Sequence, residues 1–213
     1  MLSVPRGTSI VLDLDDTLYA ERDYQKSGFQ SILDVLGYDE TTHLTKMLSV
    51  SIQGGDAFES IGLTNEQRKT AISLYRNHRP QISLYEDAKQ FMTQAISAEC
   101  PLYLATEGRS IAQRNKLEAL GIEHLFNEIL ISEELGHLKT EVDFYQSILT
   151  KGVKSALFIG DNPSKDFVVP NEFGWLTVML RDRGSNVHSQ DLQIRAETQP
   201  RYTVSSFAEI QFD

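Results

Sequence analysis

Two short stretches hold more carboxylate than a fold needs. In "SIVLDLDDTLY", Asp13, Asp15 and Asp16 stand where the apolar run that begins at Ser9 gives out. In "GDNPSKD", Asp161 and Asp166 directly follow the apolar run "SALFIG". Asp13 and Asp15 lie two residues apart, so on extended chain they face the same way. Two carboxylates held close repel unless a cation joins them or a proton separates them. Taken singly, each stretch has a plainer reading. The first could be an Asp-rich turn, and the second a helix cap in which Ser164 or Asp166 follows the turn at Asn162-Pro163. Taken together they supply hard oxygen ligands of the kind Mg²⁺ takes. A calcium loop of the EF-hand type fits poorly, since Leu18 falls where its Gly belongs and Tyr24 where its Glu belongs.

Something must bring these groups together. Strand-like runs recur at Ser9–Leu14, Pro101–Thr106, Glu128–Ser132, Ser155–Gly160 and Trp175–Leu180, with a further short strand expected near Tyr202–Val204. Between them lie helical patterns around Ala88–Ile96, Ser110–Leu120, Val142–Leu149 and Lys165–Glu172. This alternation predicts an α/β fold with a doubly wound parallel sheet. Ligands of such sheets bind outside the carboxyl ends of the strands. Asp13–Asp16, Thr106 and Asp161 all stand at such ends. In isolation Thr106 could equally be a helix cap and Lys139 an ordinary surface lysine.

One block breaks the rhythm. From about Asp23 to His78 the pattern is helical throughout, with a stripe at Phe29, Ile32, Leu33 and Leu36 closed by Gly37. A second stripe runs through Leu44, Met47, Leu48 and Ile52. A third helix, Glu66–Asn77, is expected to be capped by Thr64 or Asn65. Connections in compact domains usually take about 2–6 residues. So long a block is expected to be an inserted helical unit, residues 21–80, on a core made of 1–20 and 81–213.

The bulk properties narrow the class. The 213 residues are 40% hydrophobic and carry a net charge of −10. Such a surface repels nucleic-acid polymers and anionic membranes, yet a local site or a metal can still admit a small anion. The single cysteine, Cys100, rules out an internal disulfide and a cysteine-based zinc site. No apolar run approaches the roughly 18 residues of a membrane span, and the N-terminus shows no signal core. A cytoplasmic protein is expected.

At this point the chain resembles the haloacid dehalogenase superfamily of aspartyl phosphotransferases. Asp13-Leu14-Asp15-Asp16-Thr17 matches its DxDx[TV] motif, Thr106 its strand-end Ser/Thr, Lys139 its lysine, and Gly160-Asp161 through Asp166 its GDxxxxD. The resemblance covers about residues 9–180 and implies a Rossmann-like core with a small helical cap. It also implies roles: Asp13 as nucleophile and Asp15 as acid and base. Mg²⁺ would be held by Asp13, Asp15 through its backbone carbonyl, and Asp161, with Asp166 supporting the metal or Lys139. Thr106 and Lys139 would bind phosphoryl oxygens. The implied activity is Mg²⁺-dependent hydrolysis of a small phosphorylated metabolite: a sugar phosphate, a nucleoside monophosphate or a phosphorylated acid. A phosphomutase or phosphotransferase of the same superfamily, or a non-catalytic relative that binds a metabolite or a protein, is the alternative. Two departures stand out: Glu107 replaces the Asn often found after the motif's Thr, and Thr140 follows Lys139 where Pro is frequent, as a possible helix N-cap. Tyr19, Arg22, Arg76 and Arg79, near the joins of the helical block, are candidates for touching the leaving group.

Overall fold

The computed structural model describes residues 1–190 and 196–213; the intervening part of the expected core segment lies outside the described residues. In chain order the elements are β1 (Leu2–Val4), β2 (Ser9–Leu12), α1 (Glu21–Leu36), α2 (Glu40–Ile52), α3 (Ala57–Ser60), α4 (Asn65–Asn77), α5 (Glu86–Ser97), β3 (Leu102–Thr106) and α6 (Ser110–Leu120). There follow β4 (Glu128–Ile131), α7 (Ser132–Leu135), α8 (Gln146–Thr150), β5 (Ala156–Gly160), α9 (Pro163–Asp166), α10 (Val168–Glu172), β6 (Leu176–Leu180), β7 (Tyr202–Val204) and β8 (Ile210–Phe212). The main sheet has the order β4-β3-β2-β5-β6-β7, and every pairing in it is parallel. The order reverses between β2 and β5, and this is the crevice where doubly wound sheets place their ligands.

Both faces of the sheet are buried, which is why its strands read as continuous apolar runs. Ile10 and Leu12 enter one core with Phe91, Met92, Leu104 and Ile159. Val11, between them, enters the other core with Tyr103, Phe144, Phe158 and Trp175. The helices α1–α4 hold a third core of their own: Phe29, Ile32, Leu33, Met47, Ala57 and Ala71. Gly37 ends α1 in the left-handed conformation at φ 71°, and Thr64 and Gln67 close a reciprocal capping box on α4. The two crossings between this unit and the sheet meet at one backbone hydrogen bond, Tyr85 N–H to the Leu18 carbonyl at 2.9 Å. Among the described residues no helix is long and apolar enough to cross a membrane.

The structure differs from the sequence reading in detail. The helix expected over Lys165–Glu172 is two short helices broken at Phe167. The one marked by Val142 and Tyr145 starts as a 3-10 turn and turns α-helical only at Gln146. Ile52 and Ile96, placed in apolar stripes, are exposed. The pair β1–β8 was not foreseen; its strands are three residues long and come from opposite ends of the chain.

Candidate active site

β2 and β5 deliver the two acidic stretches to the same edge. The Asp13 N–H continues their ladder, donating to the Ile159 carbonyl at 2.9 Å. One carboxylate oxygen each of Asp13, Asp161 and Asp166 lies within 4.8 Å of the others, and all three side chains are buried. Gly160 makes room for this. A Cβ there would collide with the Asp166 carboxylate, so the glycine of "GDNPSKD" serves close approach rather than an unusual φ. Burial pushes Asp13 up to about 7, with the Asp166 charge adding and Lys139 opposing. Burial and the charges of Asp13 and Asp166 push Asp161 up to about 9. Three hard oxygen donors that repel one another are the donor set a divalent cation such as Mg²⁺ fits.

Lys139 comes from the loop after α7. It is 3% exposed. Its ammonium donates to Asp13 and, at 2.7 Å, to Asp166. Against the cost of burial, those two carboxylates hold it well above the usual lysine range. Thr106 ends β3 and accepts from Gln113 Nε2 at 2.5 Å. Asp13, Asp15, Thr106, Lys139 and Asp166 all line one small pocket of about 80 Å³, joined by Asp16, Glu21, Glu107, Asn162, Lys165 and His188.

Asp15 stands apart from the acidic triad. Its carboxylate accepts from the Tyr19 hydroxyl, from Gln113 Nε2 at 2.9 Å and from Lys116 Nζ at 2.7 Å. Its own burial opposes ionisation, but the Lys116 charge and these hydrogen bonds hold it below the usual carboxylate range. Gln113 and Lys116 are three apart on α6 and so share a face. Sequence reasoning missed both, because buried polar positions on a helix look like solvated ones. Lys116 also stands 4.3 Å from the centre of the Tyr24 ring of α1.

Of the two departures from the motif pattern, the structure explains Glu107 and not Thr140. Glu107 accepts the Lys139 N–H at 2.9 Å and pairs with Lys165 at 2.8 Å. It therefore fastens the loop that carries Lys139, and its charge is offset by Lys165. The neighbouring Arg109 pairs with Glu133. Thr140 caps nothing; the next turn has Glu141 at its N-cap, without a side-chain bond. Asp16 sits at φ 54° and takes the N–H groups of Glu21 at 2.9 Å and Val187 at 2.6 Å.

The four leaving-group candidates are not brought together. Tyr19 is fully buried and holds Asp15. Arg22 donates from Nε to the Ser185 carbonyl at 2.5 Å and from its terminal nitrogen to the Asn186 carbonyl at 3.2 Å. Arg76 is exposed, and among the described residues Arg79 pairs with Glu118, at 3.8 Å. Tyr75 and His78 occupy the inward positions of that turn, so Arg76 and Arg79 point away. Glu21, from the same join as Tyr19 and Arg22, faces the pocket instead. Burial first, and then the Asp15 charge, push it up to about 8, with Lys116 opposing.

A model of the haloacid dehalogenase-like hydrolases matches residues 10–178. Glyceraldehyde 3-phosphate phosphatase of Methanopyrus kandleri is 27% identical over 194 residues, covering 81% of this chain and 83% of the relative. Phosphoserine phosphatase of Thermus thermophilus is 32% identical over 114 residues, covering 52% of this chain and 46% of the relative. Among solved structures, the HAD-hydrolase YfnB of Bacillus subtilis, bound to magnesium, has a TM-score of 0.67 over 96% of both chains at 16% identity. The chain belongs to the haloacid dehalogenase-like hydrolase family, with relatives that are phosphatases.

Proposed function

We propose that this hydrolase is a Mg²⁺-dependent phosphatase of small phosphate monoesters that works through an aspartyl-phosphate on Asp13. The observation that carries the reading is the meeting of Asp13, Asp161, Asp166 and Lys139 at the switch point of the sheet, with Thr106 on the same pocket. Asp13, Asp161 and Asp166, with the backbone carbonyl of Asp15, would hold Mg²⁺. Bound there, the ion supplies the positive charge that lets an anionic nucleophile approach an anionic phosphate.

The chain's own groups do the rest. Lys139 and Thr106 hold the phosphoryl oxygens and set the line of attack. An Asp13 oxygen forms the new bond to phosphorus as the bond to the leaving oxygen breaks, and Asp15 gives that oxygen its proton. Asp15 is held ionised at rest, so it first takes up a proton, which an ester monoanion can bring. In the second half it removes a proton from water, whose oxygen displaces Asp13 and frees phosphate. Residues 21–80 act as a cap that shuts out bulk water, on a core of residues 1–20 and 81–213. The relatives support the substrate class, since two are named for phosphorylated metabolites of a few carbons.

The test is phosphate release from a panel of small monoesters, with Mg²⁺ and with EDTA, beside Asp13→Asn. Release that needs both Mg²⁺ and Asp13 is expected, with Asp13→Asn folded and at least about a thousandfold slower. Undiminished release by a folded Asp13→Asn would remove Asp13 as nucleophile.

A further inference from the structure

Among the charged groups of the pocket, all but one carboxylate has its partners inside the protein. Asp16 takes two backbone N–H groups. Glu107 takes Lys165 and the Lys139 N–H. Asp13 and Asp166 share Lys139, and Asp15 has Lys116. The remaining carboxylate is Glu21, whose side chain accepts no hydrogen bond from any described residue. It stands at the first turn of α1, on the pocket wall with Asp15. The lysines are committed as well. Lys139, Lys165 and Lys116 each sit on a carboxylate within 2.8 Å. No lysine or arginine of the pocket remains to greet a second anion on a substrate.

Glu21 is half-buried on the pocket wall and its carboxylate is open to the pocket, so a bound group can meet it in place of water. A hydroxyl completes a carboxyl in either protonation state, because it both donates and accepts. A second carboxylate or phosphate would instead meet Asp15, Asp16 and Glu21 with no lysine or arginine free to offset them and only the exposed His188 on that wall, a repulsion that selects as strongly as an attraction. Resting on the hydrolase reading above, we propose that Glu21 is the specificity-determining residue of this pocket. It takes a hydroxyl of the leaving alcohol, and the pocket turns away phosphates that carry another anionic group. The fitting substrate is a short polyol phosphate.

The experiment compares kcat/KM for glycerol 3-phosphate, propyl phosphate and 3-phosphoglycerate, esters of three-carbon alcohols, in the wild type and in Glu21→Ala, with p-nitrophenyl phosphate as a generic ester. In the wild type glycerol 3-phosphate is expected to exceed each of the other two by about tenfold to a hundredfold, the range set by one buried hydrogen bond. Glu21→Ala is expected to bring the glycerol-to-propyl ratio close to one, mainly through KM. A wild type that prefers 3-phosphoglycerate overturns the proposal, and so does a Glu21→Ala that slows all esters by one factor. Turnover of p-nitrophenyl phosphate with the wrong ranking removes the Glu21 assignment alone. No release from any ester overturns the hydrolase reading, and this inference with it. The wild-type ranking decides the matter even if the variant fails to fold.

Discussion

The acidic triad has a cost that pH exposes. Asp13 rises to about 7 and Asp161 to about 9 from an ordinary 3.8. An acid raised on folding favours the folded state while it is protonated. Its contribution is present at low pH and is lost as pH climbs from the unfolded value toward the folded one. Metal-free protein is therefore expected to lose thermal stability between about pH 4 and pH 9. Saturating Mg²⁺ is expected to restore it, with a larger gain in Tm at pH 8 than at pH 5. Melting curves with Mg²⁺ and with EDTA across that range check this; a gain that does not change with pH would place the ion elsewhere. Asp13 and Asp161 were legible because each ends an apolar run and strand ends converge, and Asp166 because of its spacing from Asp161. Lys116 and Gln113 were not. They lie on a helix, and which helical face meets the sheet edge is decided by packing between segments about a hundred residues apart.

The elements show where pattern suffices and where it does not. Helices with a wide apolar stripe and a glycine stop, such as α1 and α6, end where the sequence puts their ends. The segment after Lys139 does not, because turns of four or five residues are held by tertiary contact rather than by periodicity. Gly28 is a further case. It lies inside α1, where glycine costs stability, and a Cβ there would stand 2.6 Å from the Tyr75 ring. Tyr75 is boxed in by Tyr24, Phe29, Phe58 and His78 and has little room to yield. Gly28→Ala is expected to destabilise the helical unit by about 1–3 kcal/mol, the usual cost of overpacking. Hydrogen exchange should show the loss in α1 and α4 and leave β2 and β5 protected; equal loss everywhere would mean that the helical unit has no stability of its own.

At the scale of the whole molecule, Asp87 ties the start of α5 to the C-terminal segment. It receives Arg183 through both terminal nitrogens, at 3.0 and 2.8 Å, the Ser206 hydroxyl at 2.6 Å and the Phe207 N–H at 3.0 Å. Against burial, Arg183 and Ser206 hold it below the usual carboxylate range. A depressed acid stabilises the fold above its unfolded value and loses that contribution as pH falls through the folded one. Asp87→Ala is expected to cost about 1–3 kcal/mol at neutral pH, and the deficit should shrink below about pH 4. Paired denaturation curves at pH 7 and pH 3.5 would reveal a deficit that persists in acid, which would mean packing and not charge. None of this was legible, because the tail is polar and its partners lie more than ninety residues upstream.

The single bond between the Tyr85 N–H and the Leu18 carbonyl sets the mechanics of the helical unit. Two tethers that leave the sheet far apart would let the unit slide or tilt in several ways. Two tethers clasped at one point resemble a pair of leaves on one pin, and the unit meets the core at two further places, Asn115 on the Asn77 and His78 carbonyls and Arg22 on the Ser185 and Asn186 carbonyls. On the function proposed above, a swing about that pin would carry Glu21, at the leading end of α1, whereas Asp13 and Thr106 end strands of the sheet. Recognition of the alcohol and the closing of the pocket would then be a single event, so a molecule with the wrong alcohol could dock its phosphate and still fail to shut the door.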